Sequence, residues 1–272
     1  MAISVTTLGT ANNTAGSTLV LSGLTVPAGS FIFVTVRESA AIASGTISDS
    51  AGNTWITIPG ATSGGAAGFA TNFYTYNSLA LSAGSITYTK STTLNGTVLS
   101  ALYATGVQTS ADPLDGAVTA GPTTSASAAN PPSITSGTPA ISGELFIGVT
   151  ASSDPTTLLT YTTDTGHGWA VPPTFVASTT ALGAVGGGSQ VNAGTGTKIF
   201  APTFGTPANS GGTVGWIFGF KPISSQQIET SKINTYAALD QIDVRVSKMV
   251  TYLVLDVVVP SSGQMFMGTG MI

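Results

Sequence analysis

The stretch Phe31-Ile32-Phe33-Val34-Thr35-Val36 decides the fold class of this chain, because it is apolar at nearly every successive position. Trp216-Ile217-Phe218-Gly219-Phe220 has the same character near residue 221. A strand with one solvated face alternates apolar and polar residues, whereas a strand covered on both faces is apolar throughout. We therefore predict that both stretches are central β-strands and that they form the core.

Short β-rich runs surround these two stretches from residue 1 to about residue 221, and Gly, Ser, Asn and Pro separate them. The clearest runs are residues 19–24, 54–58, 72–76, 85–90, 98–103 and 144–150. Turn residues lie between them, as in Pro27-Ala28-Gly29. This spacing predicts an all-β chain with an antiparallel β-sandwich, of jelly-roll or immunoglobulin-like type, in residues 1–221. Two further stretches, residues 112–133 and 183–197, are expected to be long loops.

Composition excludes several classes of function. Charged residues make up only 7% of the 272 residues, against about 25% in typical globular domains. With seven Lys and Arg and a net charge of −4, the chain has no basic surface to neutralise phosphates, so we expect no nucleic-acid partner. The absence of Cys excludes disulfides and thiolate chemistry. No uncharged apolar run reaches the ~18 residues that span a bilayer, so we expect no membrane insertion.

The composition changes after Lys221-Pro222, and four of the five Met lie in residues 222–272. Residues 225–239 fit a short helix weakly, and the Val-rich residues 244–259 predict one or two strands. An apolar strand aggregates unless something covers it. We therefore predict that residues 222–272 form a C-terminal extended arm for anchoring and oligomerisation. The expected assembly interface consists of apolar residues of this arm: Val244, Val246, Met249, Val250, Leu253, Leu255, Val257, Met265, Phe266 and Met267.

Several motifs of the main domain carry a family resemblance. Ile47-Ser48-Asp49-Ser50-Ala51-Gly52-Asn53-Thr54-Trp55 is followed by Phe73-Tyr74-Thr75-Tyr76-Asn77-Ser78 and by Ile86-Thr87-Tyr88-Thr89. In this order they resemble a recurrent β-sandwich module of bacterial surface and phage proteins. The tail, Asp243-Val244-Arg245-Val246-Ser247-Lys248-Met249-Val250-Thr251-Tyr252-Leu253-Val254-Leu255, resembles short C-terminal segments of phage tail and fibre proteins. These resemblances imply an architectural or adhesive module without catalytic apparatus.

The expected function is that of a structural bacteriophage virion protein, namely a fibre, tail or head-decoration protein. Its expected partners are other copies of itself, in a symmetric multimer, and other virion proteins. No secretory signal is visible at the N-terminus, so we expect assembly in the bacterial cytoplasm and exposure outside after lysis. We expect no enzymatic activity and no cofactor.

A carbohydrate-binding module that recognises host-surface glycans is the competing hypothesis. Trp169 lies in a Gly- and Pro-rich stretch, where a flat ring can stack on a sugar, and His167 lies beside it. Trp55 and Trp216 are expected to pack in the core instead. An enzyme is the third hypothesis, and it is disfavoured because His167 is the single His and no Gly-x-Ser-x-Gly elbow occurs.

Two acidic motifs have structural explanations. Asp112 and Asp115 are close in sequence, as a glycosidase pair could be, but Asp-Pro-Leu-Asp is also an ordinary turn. Asp49 and Asn53 could offer oxygen ligands to Ca²⁺, which needs six to eight of them. Since too few acids lie nearby, we interpret them as an Asx turn before Trp55, and we expect no metal site.

Overall fold

The computed structural model describes residues 2–13, 16–38, 45–58, 69–90, 97–125, 133–152, 161–162, 164–170, 175–179, 183–204, 213–223, 243–249 and 252–258. Apart from the single-turn 3₁₀ helix Thr165–His167, the regular elements within them are strands. In chain order these are β1 (Ser4–Asn13), β2 (Thr18–Val26), β3 (Phe31–Glu38), β4 (Thr46–Asp49), β5 (Ile56–Thr57), β6 (Phe69–Thr75), β7 (Leu81–Thr89), β8 (Thr97–Thr105), β9 (Leu114–Ser125), β10 (Ile134–Thr135), β11 (Leu145–Ser152), β12 (Tyr161–Thr162), β13 (Phe175–Thr179), β14 (Gly183–Val191), β15 (Ile199–Phe200), β16 (Thr203–Phe204), β17 (Thr213–Phe220), β18 (Asp243–Met249) and β19 (Tyr252–Val258). The all-β prediction is confirmed.

Three larger sheets organise the main part of the chain. Sheet I has the order β1-β8-β3-β6-β5, sheet II has the order β13-β14-β11-β17-β9, and sheet III has the order β2-β7-β4. The pairs β10-β15 and β12-β16 form two small sheets. Neighbouring strands in these sheets are antiparallel. The predicted antiparallel architecture is therefore confirmed.

The order of the sheets reveals a structural duplication. Read from its β9 edge, sheet II runs β9-β17-β11-β14-β13, which matches β1-β8-β3-β6-β5 of sheet I strand for strand. The small pairs β10-β15 and β16-β12 match β2-β7-β4 of sheet III in the same way, with β15 and β16 in the place of β7. We call β1–β8 the first repeat and β9–β17 the second repeat. The predicted β-sandwich of residues 1–221 is thus built from two related repeats.

The register of the strands aligns the two repeats residue by residue. Phe31 pairs with Ala104 in the first repeat, and Leu145 pairs with Phe220 in the second. A left-handed glycine precedes β3 and another precedes β11, at Gly29 (φ 74°) and Gly143 (φ 86°). Each lets the chain turn into its strand, because a positive φ costs glycine little. The repeats therefore share turn chemistry as well as strand order.

The two large sheets pack face to face and form the central core. Phe31 and Phe33 of sheet I and Phe218 and Phe220 of sheet II lie in one buried cluster. Their rings are close, with centroids 4.5 Å apart for Phe31 and Phe220 and 5.6 Å apart for Phe33 and Phe218. Burying each such side chain contributes roughly 1.5–3 kcal/mol. This aromatic contact joins the repeats.

The outer faces of both large sheets are also covered. Ile32 and Val34 of sheet I lie in a cluster with Leu21 and Ile86 of sheet III. On the far side of sheet II, Phe146 and Ile217 cluster with Trp169, Phe200 and other apolar residues. Every residue of β3 and of β17 is buried. The prediction that these two stretches are central strands covered on both faces is confirmed.

Both stretches that were predicted to be long loops, residues 112–133 and 183–197, contain strands. Within residues 112–133, β9 forms the edge of sheet II beside β17. Within residues 183–197, β14 pairs with both β11 and β13 despite its Gly186-Gly187-Gly188 run. The ring of Tyr161 occupies the space next to Gly186, where a Cβ would lie 2.3 Å from it. The loop prediction was wrong because small residues here accommodate large neighbours.

The chain divides into two compact units, Met1–Ile223 and Ser224–Ile272. In the second unit, β18 and β19 pair as an antiparallel hairpin. The strands predicted within residues 244–259 are present. The weak helix predicted at residues 225–239 lies outside the described residues.

Candidate functional site

The Asp49 turn of the first repeat is held by its own carboxylate. Asp49 Oδ1 accepts hydrogen bonds from the backbone N–H groups of Ala51 (2.9 Å) and Asn53 (3.2 Å), and Oδ2 accepts one from Trp55 Nε1 (2.8 Å). A carboxylate that accepts three such bonds rigidifies a turn. The predicted Asx turn before Trp55 is confirmed.

The corresponding turn of the second repeat contains Asp164, His167 and Trp169. The Trp169 side chain is buried, with the residue only 2% exposed. Its Nε1 donates to the carbonyl of Ile199 (2.6 Å), and its ring centroid lies 4.7 Å from that of Phe200. The prediction that Trp169 contacts a glycan is therefore corrected, because β15 covers the indole that was expected to stack on a sugar.

The predicted contact His167 is accessible, with its side chain 45% exposed. Its Nδ1 lies 2.8 Å from both carboxylate oxygens of Asp164. Asp164 Oδ2 also accepts a hydrogen bond from the backbone N–H of Ala201 (2.7 Å). Asp164 therefore links the turn to Ala201, which follows β15. The described contacts of His167 indicate a structural role.

An open groove lies at the first repeat, between the Asp49 turn and the connection from β6 to β7. Its volume is about 360 Å³. The lining includes the turn residues 52–54 together with Thr75, Tyr76, Asn77, Leu79 and Thr109. The sequence did not predict this groove, because its lining residues are separated along the chain and belong to common residue types. The sequence contained two signals for it, the Tyr76-Asn77-Ser78 motif and the turn that contains Asn53.

The Asp-Pro-Leu-Asp motif leads directly into β9, which begins at Leu114. Asp112 Oδ1 accepts hydrogen bonds from the backbone N–H of Leu114 (3.0 Å) and from the hydroxyl of Tyr74 (2.7 Å). Burial and this hydrogen bond raise the pKa of the Tyr74 phenol. Asp115 Oδ1 accepts from the backbone N–H of Ala117 (3.0 Å). Both carboxylates therefore accept local backbone hydrogen bonds, at the beginning of β9 rather than in the predicted turn.

Glu144 places a second carboxyl group next to Asp115. Glu144 is fully buried and Asp115 is 7% exposed. Burial, then the nearby charge of Asp115, raise the pKa of Glu144 to about 7, while Lys221 opposes the shift. Both carboxyl groups of the pair are therefore buried.

A buried ion pair lies at the ends of β3 and β7. Lys90 Nζ contacts Glu38 Oε2, and the hydroxyl of Tyr88 donates to Glu38 Oε1. The backbone N–H of Gly45 donates to the Tyr88 hydroxyl (3.0 Å). Burial raises the pKa of the Tyr88 phenol. These contacts join sheet I to sheet III, which is a structural role.

The predicted assembly residues fall into three groups. The register of the hairpin places Val244, Val246 and Lys248 opposite Val257, Leu255 and Leu253. Since alternate residues of a strand share a face, these six residues lie on one face, and five of them are apolar. Met249 lies at an alternate position, on the other face. Val250, Met265, Phe266 and Met267 lie outside the described residues.

The described residues hold no group of three or more His, Cys, Asp or Glu that could bind a metal ion. No helix in the described ranges is long and apolar enough to cross a membrane. Comparison with protein-family models, curated proteins and solved structures finds no match.

Proposed function

We propose that this chain is a structural component of a bacteriophage virion, in a fibre, a tail or a head decoration, and that it assembles through its C-terminal arm. The observation that carries the proposal is the register of β18 and β19, which gathers Val244, Val246, Leu253, Leu255 and Val257 on one face. A two-stranded hairpin by itself is marginally stable in water. A repeated partner that covers this apolar face would stabilise it.

The main unit supports a role in presentation rather than chemistry. Its two repeats bury their large sheets against each other, and the remaining strands cover the outer faces. The acidic groups of the motifs considered above hold turns or join sheets. A hydroxyl-rich module joined to an apolar arm is the arrangement expected of a virion protein that is exposed on the outside of the particle. Other copies of the chain and other virion proteins are the proposed partners.

Two point variants in the hairpin test the assembly step. Val246→Asp places a charge on the apolar face, whereas Ser247→Asp places the same charge on the opposite face at the neighbouring position. We expect the wild-type chain and the Ser247→Asp control to form a defined multimer in light scattering coupled to size exclusion. Val246→Asp, and deletion of residues 240–272, should yield monomers. A wild-type chain that is monomeric at all concentrations, or a truncated chain that still assembles, would refute the anchoring role.

The location is tested on the particle itself. Immunogold labelling of purified phage particles with an antibody against residues 1–223 should decorate one part of the virion at regular copy number. Intact particles that lack the polypeptide in mass spectrometry would contradict the virion assignment.

A further inference from the structure

The groove of the first repeat is open where the second repeat is filled. Gly52 and Gly168 occupy corresponding turns with nearly equal φ angles, 78° and 80°. A Cβ on Gly168 would lie 2.7 Å from Gln190 Nε2, whereas a Cβ on Gly52 would meet no described atom within 4 Å. The Gln190 side chain also donates to the carbonyl of His167 (3.2 Å). Gln190 therefore fills the space over the turn of the second repeat.

Thr75 is the residue of the first repeat that corresponds to Gln190. Thr75 pairs with Ile32 on β3, and Gln190 pairs with Phe146 on β11, which is the equivalent position. Thr75 is buried and its short side chain lines the groove. The difference between Thr and Gln at this position explains why the space next to Gly52 is open, whereas Gln190 occupies the space next to Gly168.

The groove has the chemistry of a site for a neutral, polyhydroxylated ligand. Its described lining residues carry amide, hydroxyl and apolar groups and no charged side chain. The Tyr76 ring is stacked on that of Tyr74, with a centroid distance of 6.5 Å and an interplanar angle of 25°. Leu79 is 57% exposed at the rim. Sugars match such a lining, because they present hydroxyls at their edges and C–H groups on their faces.

Asn53 supplies an oriented donor at the base of the groove. Its Oδ1 accepts a hydrogen bond from the backbone N–H of Leu79 (2.6 Å), which fixes the direction of the amide. Its Nδ2 is buried and finds no hydrogen-bond partner among the described residues. Buried polar atoms are normally satisfied. This amide is therefore an unsatisfied polar group in the wall of the groove.

We propose that this groove, formed by the Asp49 turn, Thr75, Tyr76 and Leu79, binds a neutral saccharide of one or two units. Its volume of about 360 Å³ lies at the lower end of the range for small-molecule sites. The inference does not rest on the virion role, because a sugar site would serve attachment in any presented module. It moves the glycan contact from Trp169 to the first repeat.

The test uses the full-length protein and a panel of neutral sugars: glucose, galactose, mannose, N-acetylglucosamine and their common disaccharides. Saturation-transfer difference NMR should detect at least one of them, with a dissociation constant of about 1 mM or tighter by titration. Thr75→Gln copies the second repeat and should fill the groove, weakening binding about tenfold or more. Gln190→Thr makes the reverse change in the second repeat and should leave the affinity unchanged.

Folding of each variant is checked by its circular dichroism spectrum and melting temperature. If Thr75→Gln does not fold, the exposed Thr54→Arg decides, since a long side chain there covers the groove from the solvent side. The proposal is overturned if no sugar of the panel gives a signal with the wild-type protein. It is equally overturned if the folded groove variants bind as the wild type does, or if Gln190→Thr abolishes binding.

Discussion

The carboxyl group of Glu144 lies over a glycine that leaves room for it. A Cβ on Gly219 would come within 2.7 Å of Val118 and 3.3 Å of Glu144 Oε2. The buried carboxyl therefore sits against the outer face of sheet II, close to Asp115. Ionising this carboxyl group creates a negative charge that is shielded from water and lies close to Asp115. The pKa of Glu144 therefore rises to about 7 from the ordinary value of 4.5.

The Glu144 pKa predicts a pH dependence of stability. Between about pH 4.5 and pH 7 the folded chain keeps a proton that the unfolded chain releases. The free energy of unfolding should therefore fall by about 1–3 kcal/mol as pH rises through this window, and then stay level. Glu144→Gln cannot ionise, so its melting temperature should fall less over the same range and exceed that of the wild type at pH 8. Parallel pH profiles for the two proteins would contradict this assignment.

At the scale of strands, Gly148 tests how the cover of sheet II is packed. A Cβ at Gly148 of β11 would lie 2.6 Å from the Phe200 ring, whereas a Cβ at Gly116 of β9 would meet no described atom within 4 Å. We expect Gly148→Ala to destabilise the protein by about 1–3 kcal/mol through overpacking. Gly116→Ala should change stability by less than about 0.5 kcal/mol. Urea denaturation measures both, and equal effects of the two changes would refute the packing argument.

The same glycines explain which strands the sequence could reveal. β3 and β17 were predictable because their apolar side chains appear in the sequence at successive positions. β14 was not, because its Gly186-Gly187-Gly188 run is typical of loops. Its strand conformation depends on pairing with β11 and β13 and on the rings of distant residues such as Tyr161. Such information is tertiary, and local propensity does not contain it.

Some features of the candidate site could likewise be predicted from the sequence, and others could not. The Asx turn at Asp49 was predictable, because an Asp two to four residues before its N–H partners is a local pattern. The burial of Trp169 was not, since the covering residues Ile199 and Phe200 lie some thirty positions later in the chain. The groove was not predictable either, because it results from Thr75 standing where the second repeat has Gln190. That equivalence is visible only when the strand register aligns the two repeats.

At the scale of the whole main unit, the duplication is visible in the sequence after the fold is known. The sequence Gly-Thr-Val occurs at residues 96–98 and again at residues 212–214, and its threonine is the first residue of β8 and of β17. The ends of these two strands meet: Val107 bridges Pro222, and the backbone N–H of Gln108 donates to the carbonyl of Lys221 (2.9 Å). These contacts and the shared aromatic core therefore hold the two repeats together.

Since the repeats share one core, they should unfold together. Phe218→Ala removes the ring that faces Phe33 and should cost about 3–5 kcal/mol. Fluorescence of chains that retain only Trp55, in the first repeat, or only Trp169, in the second, reports each repeat separately. We expect one urea midpoint for both probes, and we expect Phe218→Ala to lower both equally. The exposed Val20 is the control, since Val20→Ala should shift neither. A Trp55 midpoint that does not respond to Phe218→Ala would show that the repeats are independent domains.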